Sequence, residues 1–86
     1  SYSGFFDNGR QHQTGLAGWL RAHAIDTVHI CGLATDYCVK FTALDAVHLG
    51  LRTRLELAAC RGVDLRPGDV GRAIDEMRVA GVEVLR

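Results

Sequence analysis

The chain has 86 residues, 48% of them apolar, with ten basic and ten acidic side chains, enough for one small domain that buries roughly 60% of its unfolded surface and too little for two. The charges cancel and neither sign forms a run, which argues against nucleic-acid and membrane partners and for a small or neutral one. No apolar stretch approaches the ~20 residues that cross a bilayer and no signal-peptide layout opens the chain, so a cytoplasmic location is expected.

In chain order, "SYSGFFDNG" over 1–9 sets glycine and polar residues around three aromatics and reads as a loop with anchored rings. Thr14 is placed to cap a helix whose apolar side carries Leu16, Trp19 and Leu20. "TVHICGL" over 27–33 is β-rich and largely apolar, as a strand buried on both faces would be. Thr35 or Asp36 then offers an N-cap for a helix running to about Leu49, with Val39, Ala43, Ala46 and Val47 inward and Gly50 as its stop. "TRLELAA" over 53–59 alternates like a strand. Pro67 suits the first turn of a further helix, whose Val70, Ile74, Met77 and Ala80 recur at helical spacing before Gly81 ends it, and "VEVLR" over 82–86 makes a third strand. No repeat, linker or low-complexity segment interrupts this order.

Alternating helices and strands predict an α/β fold with a parallel sheet and right-handed crossovers. In such sheets chemistry gathers beyond the carboxyl ends of strands, and residues 33–38 occupy one of those turns. Cys38 then falls in the first turn of the following helix, where outward N–H groups and the helix dipole favour a thiolate and offer donors to a developing oxyanion. Position alone does not separate a nucleophile from a small buried apolar cysteine.

The other polar residues make weaker candidates. His48 lies nearly three helical turns from Cys38, too far to serve it as a base. His29 and Cys31 share a strand face and could ligate a metal as a pair, but no further ligand is spaced for it, and core or edge packing is the expectation. Asp36 reads as a cap rather than a catalytic acid. Lys40, the only lysine, is expected to face away from Cys38 into solvent. Cysteines 31, 38 and 60 make no CxxC, which argues against a disulfide framework or zinc knuckle, and Cys31 and Cys60 read as structural.

Three stretches carry more than position: "SYSGFFDNGR", "GLATDYCVKFTALDAVHLG" and "CRGVDLRPGD" resemble the nicotinamidases of the isochorismatase-like cysteine hydrolase superfamily, in order and spacing, over nearly the whole chain. The resemblance implies a three-layer, Rossmann-like parallel sheet of which residues 1–86 form the C-terminal half of a single domain. It implies that Cys38 attacks the carboxamide of nicotinamide to form a thioester, in the service of NAD salvage. The N–H groups of Ala34 and Cys38 would form the oxyanion hole, the Leu33–Ala34 peptide would be cis, and Tyr2 and Tyr37 would line the substrate pocket. The aspartate and lysine that complete the family's triad, and the ligands of its divalent metal, zinc or iron, belong to an N-terminal half and have no match here. Ala58 also departs from the family, many members of which carry an acidic residue there. The partners implied are nicotinamide or pyrazinamide, a missing N-terminal half or homologous subunit, and a second copy in a homo-oligomer. The alternatives are an isochorismatase-like hydrolase of another substrate, such as an isochorismatase, which hydrolyses a vinyl ether and does not need the thiol, and a non-catalytic interaction fragment.

Overall fold

The computed structural model describes residues 2–86, so Ser1 of the "SYS" stretch lies outside it. Its elements are α1 (Leu16–Ala22), β1 (Thr27–Leu33), a π-helical turn (Thr35–Val39), α2 (Lys40–His48), β2 (Arg52–Arg61), α3 (Asp69–Ala80) and β3 (Glu83–Leu85). The strands form one parallel sheet in the order β1-β2-β3, the α/β architecture that the alternating pattern predicts.

Two apolar clusters hold the helices on one face of this sheet. In the first, Leu55 of the middle strand is fully buried against Val39, Ala43 of α2, and Ala73 and Met77 of α3. In the second, Phe5 of the N-terminal loop joins Ala17 and Leu20 of α1 and Ala46 of α2 over Val28 and Ile30 of β1. α2 feeds both clusters, so the inward stripe read from its sequence is the seam of the molecule. Burying Phe5, Leu55 or Met77 contributes about 1.5–3 kcal/mol each.

The opposite face is open among the described residues. Burial alternates along β1, and His29, Cys31 and Leu33 are exposed, Leu33 by 72%. The strand expected to be buried on both faces is thus covered on one, and the described residues form two layers of the expected three. His29 and Cys31 do not pack in the core; the His29 ring instead sets Nδ1 2.8 Å from Glu56 Oε1 on β2.

Element ends differ from the sequence reading where side chains find other partners. Gly15 stands at the N-cap position of α1, one residue after Thr14, whose hydroxyl donates to the Gly4 carbonyl (2.5 Å) and also accepts the N–H of Leu16 at the start of the helix (3.3 Å). Ala17 and Leu20 face inward, while Leu16 and Trp19 are exposed and Trp19 stacks on His23 with ring centroids 3.9 Å apart. α3 begins at Asp69, with Pro67 in the turn before it; Ala73 and Met77 are its buried residues, and Ala80 is exposed. Gly81 stops α3 as read. Its φ of 112° suits glycine, and the Gly81 and Val82 N–H groups return to the Arg78 and Met77 carbonyls. β2 outruns 59 because it bulges: Ile30 pairs with Leu55 but Gly32 with Cys60, leaving four residues of β2 opposite Cys31. Ala58 lies exposed in that bulge, which the Cys60 thiol and the Arg61 guanidinium fasten by donating to the carbonyls of Glu56 and Ala58.

Candidate active site

β1 ends at Leu33 and the chain turns at once. The Leu33–Ala34 peptide is cis, Ala34 is extended, and its carbonyl accepts the N–H groups of both Tyr37 and Val39 at 3.0 Å. The longer of these spans, Ala34 to Val39, widens residues 35–39 into the π-helical turn, and α2 starts only at Lys40. Cys38 therefore stands half-buried in that wide turn, not in the first turn of the α-helix as its spacing predicts.

Neither Thr35 nor Asp36 caps the helix with its side chain. Asp36 is drawn inward, 5% exposed, and its carboxylate reaches the exit of β2, where Oδ1 accepts from Val63 N (3.0 Å) and Oδ2 from Asp64 N (2.8 Å). Burial pushes this carboxyl up, but the N–H donors of Val63, Asp64 and its own residue outweigh it and hold the group below its ordinary range. The approach needs a glycine: a Cβ on Gly62 would sit 2.1 Å from Val70 Cγ2 and 3.3 Å from Asp36 Oδ1.

Tyr37, the residue before Cys38, comes together with Tyr2 across 35 residues of sequence, their ring centroids 6.1 Å apart. Phe41 joins them, 5.9 Å from Tyr2, and completes an aromatic corner in which Tyr2 is half exposed. Sequence reasoning missed Phe41; its signal was the four-residue spacing from Tyr37, which sets both rings on one helical face. Lys40, expected in solvent, is only 21% exposed. Its ammonium lies 3.3 Å from Glu76 of α3 and 4.8 Å over the Phe41 ring, because α2 and α3 pack side by side and its stem runs between them.

A cleft of about 420 Å³ adjoins this corner, lined by Tyr37, Lys40, Arg66, Asp69, Arg72 and Glu76 among others, but not by Cys38 or Tyr2. Its charges are largely matched within the chain: Asp69 accepts from Arg66 N (2.8 Å) and from the Arg72 guanidinium, and these two bonds, in that order, hold its carboxyl low. On the other side of Tyr2, Arg10 grips the buried Asp45 of α2 with two bonds of 2.7 and 3.1 Å, tying the N-terminal loop to the helix. That pair left no sequence signal, since its partners lie 35 residues apart.

Of the remaining thiols, Cys31 is exposed on the open face and Cys60 is buried, where loss of solvent pushes its thiol up. Among the described residues no group of three His, Cys, Asp or Glu side chains is placed to hold a metal ion. These residues alone do not fit a metal centre.

Against known proteins, the Isochorismatase domain family matches residues 1–86 in full. The chain is 54% identical over 81 residues to the nicotinamidase of Escherichia coli (strain K12), covering 94% of itself and 38% of that relative. Among solved structures it resembles the Acinetobacter baumanii nicotinamidase pyrazinamidease (43% identity, TM-score 0.94, 100% of this chain and 41% of that one). It also resembles the pyrazinamidase of Pyrococcus horikoshii in complex with zinc (37% identity, TM-score 0.83, 100% of this chain and 44% of that one). The chain thus spans between 38% and 44% of the length of these relatives.

Proposed function

Since the chain belongs to the isochorismatase domain family, we propose that it is the nucleophile-bearing part of a nicotinamidase, an amidohydrolase that converts nicotinamide to nicotinate and ammonia and so feeds NAD salvage. One observation carries this reading: Cys38 stands in a wide turn at the carboxyl end of a parallel strand, and its sequence neighbour Tyr37 belongs to an aromatic corner with Tyr2 and Phe41.

In the proposed reaction the Cys38 sulfur attacks the carboxamide carbon, and the carbonyl π electrons move onto oxygen. The N–H groups of Ala34 and Cys38, contributed by the same turn, receive that oxyanion. Collapse expels the amine, which takes up a proton and leaves as ammonia, and the carbon remains bound to sulfur as a thioester. Water then cleaves the thioester to nicotinate and restores the thiol. Tyr2 and Tyr37 would face the pyridine ring, for which flat aromatic walls are well matched. The zinc named with the Pyrococcus relative supports a divalent metal in the complete enzyme, held by residues outside this chain.

The aspartate and lysine that would assist the cysteine have no counterpart among these residues, and the only lysine is engaged with Glu76. The 86-residue chain alone is therefore expected not to turn over, because a positioned acid for the leaving amine is worth roughly 10² to 10⁴ in rate. Combining it with the remainder of such a domain restores ammonia release; Cys38→Ala abolishes it there, and Cys31→Ala and Cys60→Ala largely spare it. Robust turnover by the chain alone, or by the Cys38→Ala assembly, overturns the mechanism.

A further inference from the structure

We infer that Asp36 is a positioning residue for the nucleophile: its carboxylate fastens the turn that carries Cys38 to the backbone at the exit of β2 and thereby fixes where the thiol points. The inference rests on the reading of Cys38 as the nucleophile. Asp36 lies two residues before Cys38 in the π-helical turn and is more than nine-tenths buried, in a place where a carboxylate without partners would be costly. Its partners are not side chains that could swing away but two consecutive backbone N–H groups, those of Val63 and Asp64. Both oxygens are occupied and the group stays ionised, so it has no proton to give, and its part is to hold.

The contact is built from the other side too. Gly62 is the residue whose missing Cβ lets the strand exit come this close, with Val70 of α3 behind it. Asp64, at a φ of 56°, turns its own carboxylate to accept the Val70 N–H of α3 (2.9 Å). The nucleophile turn, the end of β2 and the start of α3 thus meet at a chain of two carboxylates, and a shift in any one is passed to Cys38. Val39 in the first core cluster and the buried Thr35 hold the body of the turn by packing, and since no side chain caps it, Asp36 is the carboxylate that ties it to the exit of β2.

The test uses the assembly in which this chain is combined with the remainder of its domain, with ammonia release normalised to the number of Cys38 thiols titrated. Asp36→Asn replaces one accepting oxygen by an NH₂ that opposes an N–H, and Gly62→Ala displaces the loop while leaving Asp36 charged. Each is expected to lower kcat about 10- to 100-fold with KM held within about twofold, the scale of a misplaced reacting group. Because both variants break one contact, the double variant loses no more than the larger single loss, whereas independent destabilisations would multiply. An unchanged kcat per titrated thiol in either variant, multiplying losses, a change in KM alone, or failure of both variants to fold overturns the positioning role. A Cys38→Ala assembly that still releases ammonia overturns instead the nucleophile reading beneath it. An inactive Cys38→Ala beside a fully active Asp36→Asn removes only the inference.

Discussion

Limiting alkylation orders three thiols either by access or by chemistry, and this structure makes the two orders different. Cys60 sits 5% exposed in the middle strand, donates to the Glu56 carbonyl, and is pushed up by burial, so it reacts only when the sheet opens. Taking ~0.05 kcal/mol per residue, the low end for natural domains and suited to a sheet bare on one face, the chain is stable by about 4 kcal/mol and opens about once in 10³. Cys60 should therefore label about a thousandfold more slowly than Cys31, which is exposed on β1. Between Cys31 and Cys38, access alone puts Cys31 first, since Cys38 is half-buried; a turn that activates the thiol puts Cys38 first. Iodoacetamide at micromolar protein, timed quenching and mass mapping of the three cysteine peptides read the order directly. The expected order is Cys38, Cys31, then Cys60 by three decades. Cys31 labelling ahead of Cys38 refutes activation by the turn, and Cys60 within tenfold of Cys31 refutes the core described above.

Truncating Leu55 to alanine at the centre of the first cluster should cost about 2–5 kcal/mol, most or all of the stability of the chain, seen as a steep fall or loss of the urea transition, and a loss well below that range would mean that α3 collapses onto the gap. The Asp36 carboxyl is lowered in the folded chain, so its contribution is complete above the ordinary carboxylate range and is lost as pH falls through the depressed folded value. The urea midpoint should accordingly drop on acidification, and Asp36→Asn should flatten that limb; parallel acid limbs in the two proteins would count against the clamp. The open sheet face, with Leu33 at its edge, predicts concentration-dependent association in light scattering that Leu33→Ser reduces, and a strict monomer at all concentrations contradicts it.

What the sequence made legible was whatever local periodicity controls. The inward stripe of α2 and the glycine stop of α3 follow from spacing and from backbone freedom, and both are as read. In α1 only Leu20 is as read, because seven residues make too few turns to tell Ala17 from Leu16 and Trp19 as its companion on the buried side. The run at 27–33 reads as doubly buried because it is β-rich and Val28, Ile30, Cys31 and Leu33 make it largely apolar, while the outward His29 is the sign of one open face. Asp36 shows the deeper limit. An aspartate at the head of a helix fits an N-cap, and nothing local says that its partners lie 27 and 28 residues downstream. The site was thus legible as a place, a turn beyond a parallel strand, while the contacts that hold it, with Val63, Asp64, Phe41 and Asp45, are made by the fold.

The order β1-β2-β3 has a kinetic meaning. Each strand pairs only with its neighbours in sequence, β1 to β2 across about 25 residues from Thr27 to Arg52, and β2 to β3 across 29 from Arg54 to Glu83. The two ring closures differ by only about 0.1 kcal/mol of chain entropy, so neither is favoured by length. Direction of synthesis breaks the tie: β1, α2 and β2 can dock while α3 and β3 are still within the ribosome, and Leu55 then waits uncovered for Ala73 and Met77. While only the residues up to somewhere between 61 and 69 have emerged from the ribosome, the nascent chain would present a two-stranded unit with one apolar wound, and it is there that a chaperone would find its best purchase.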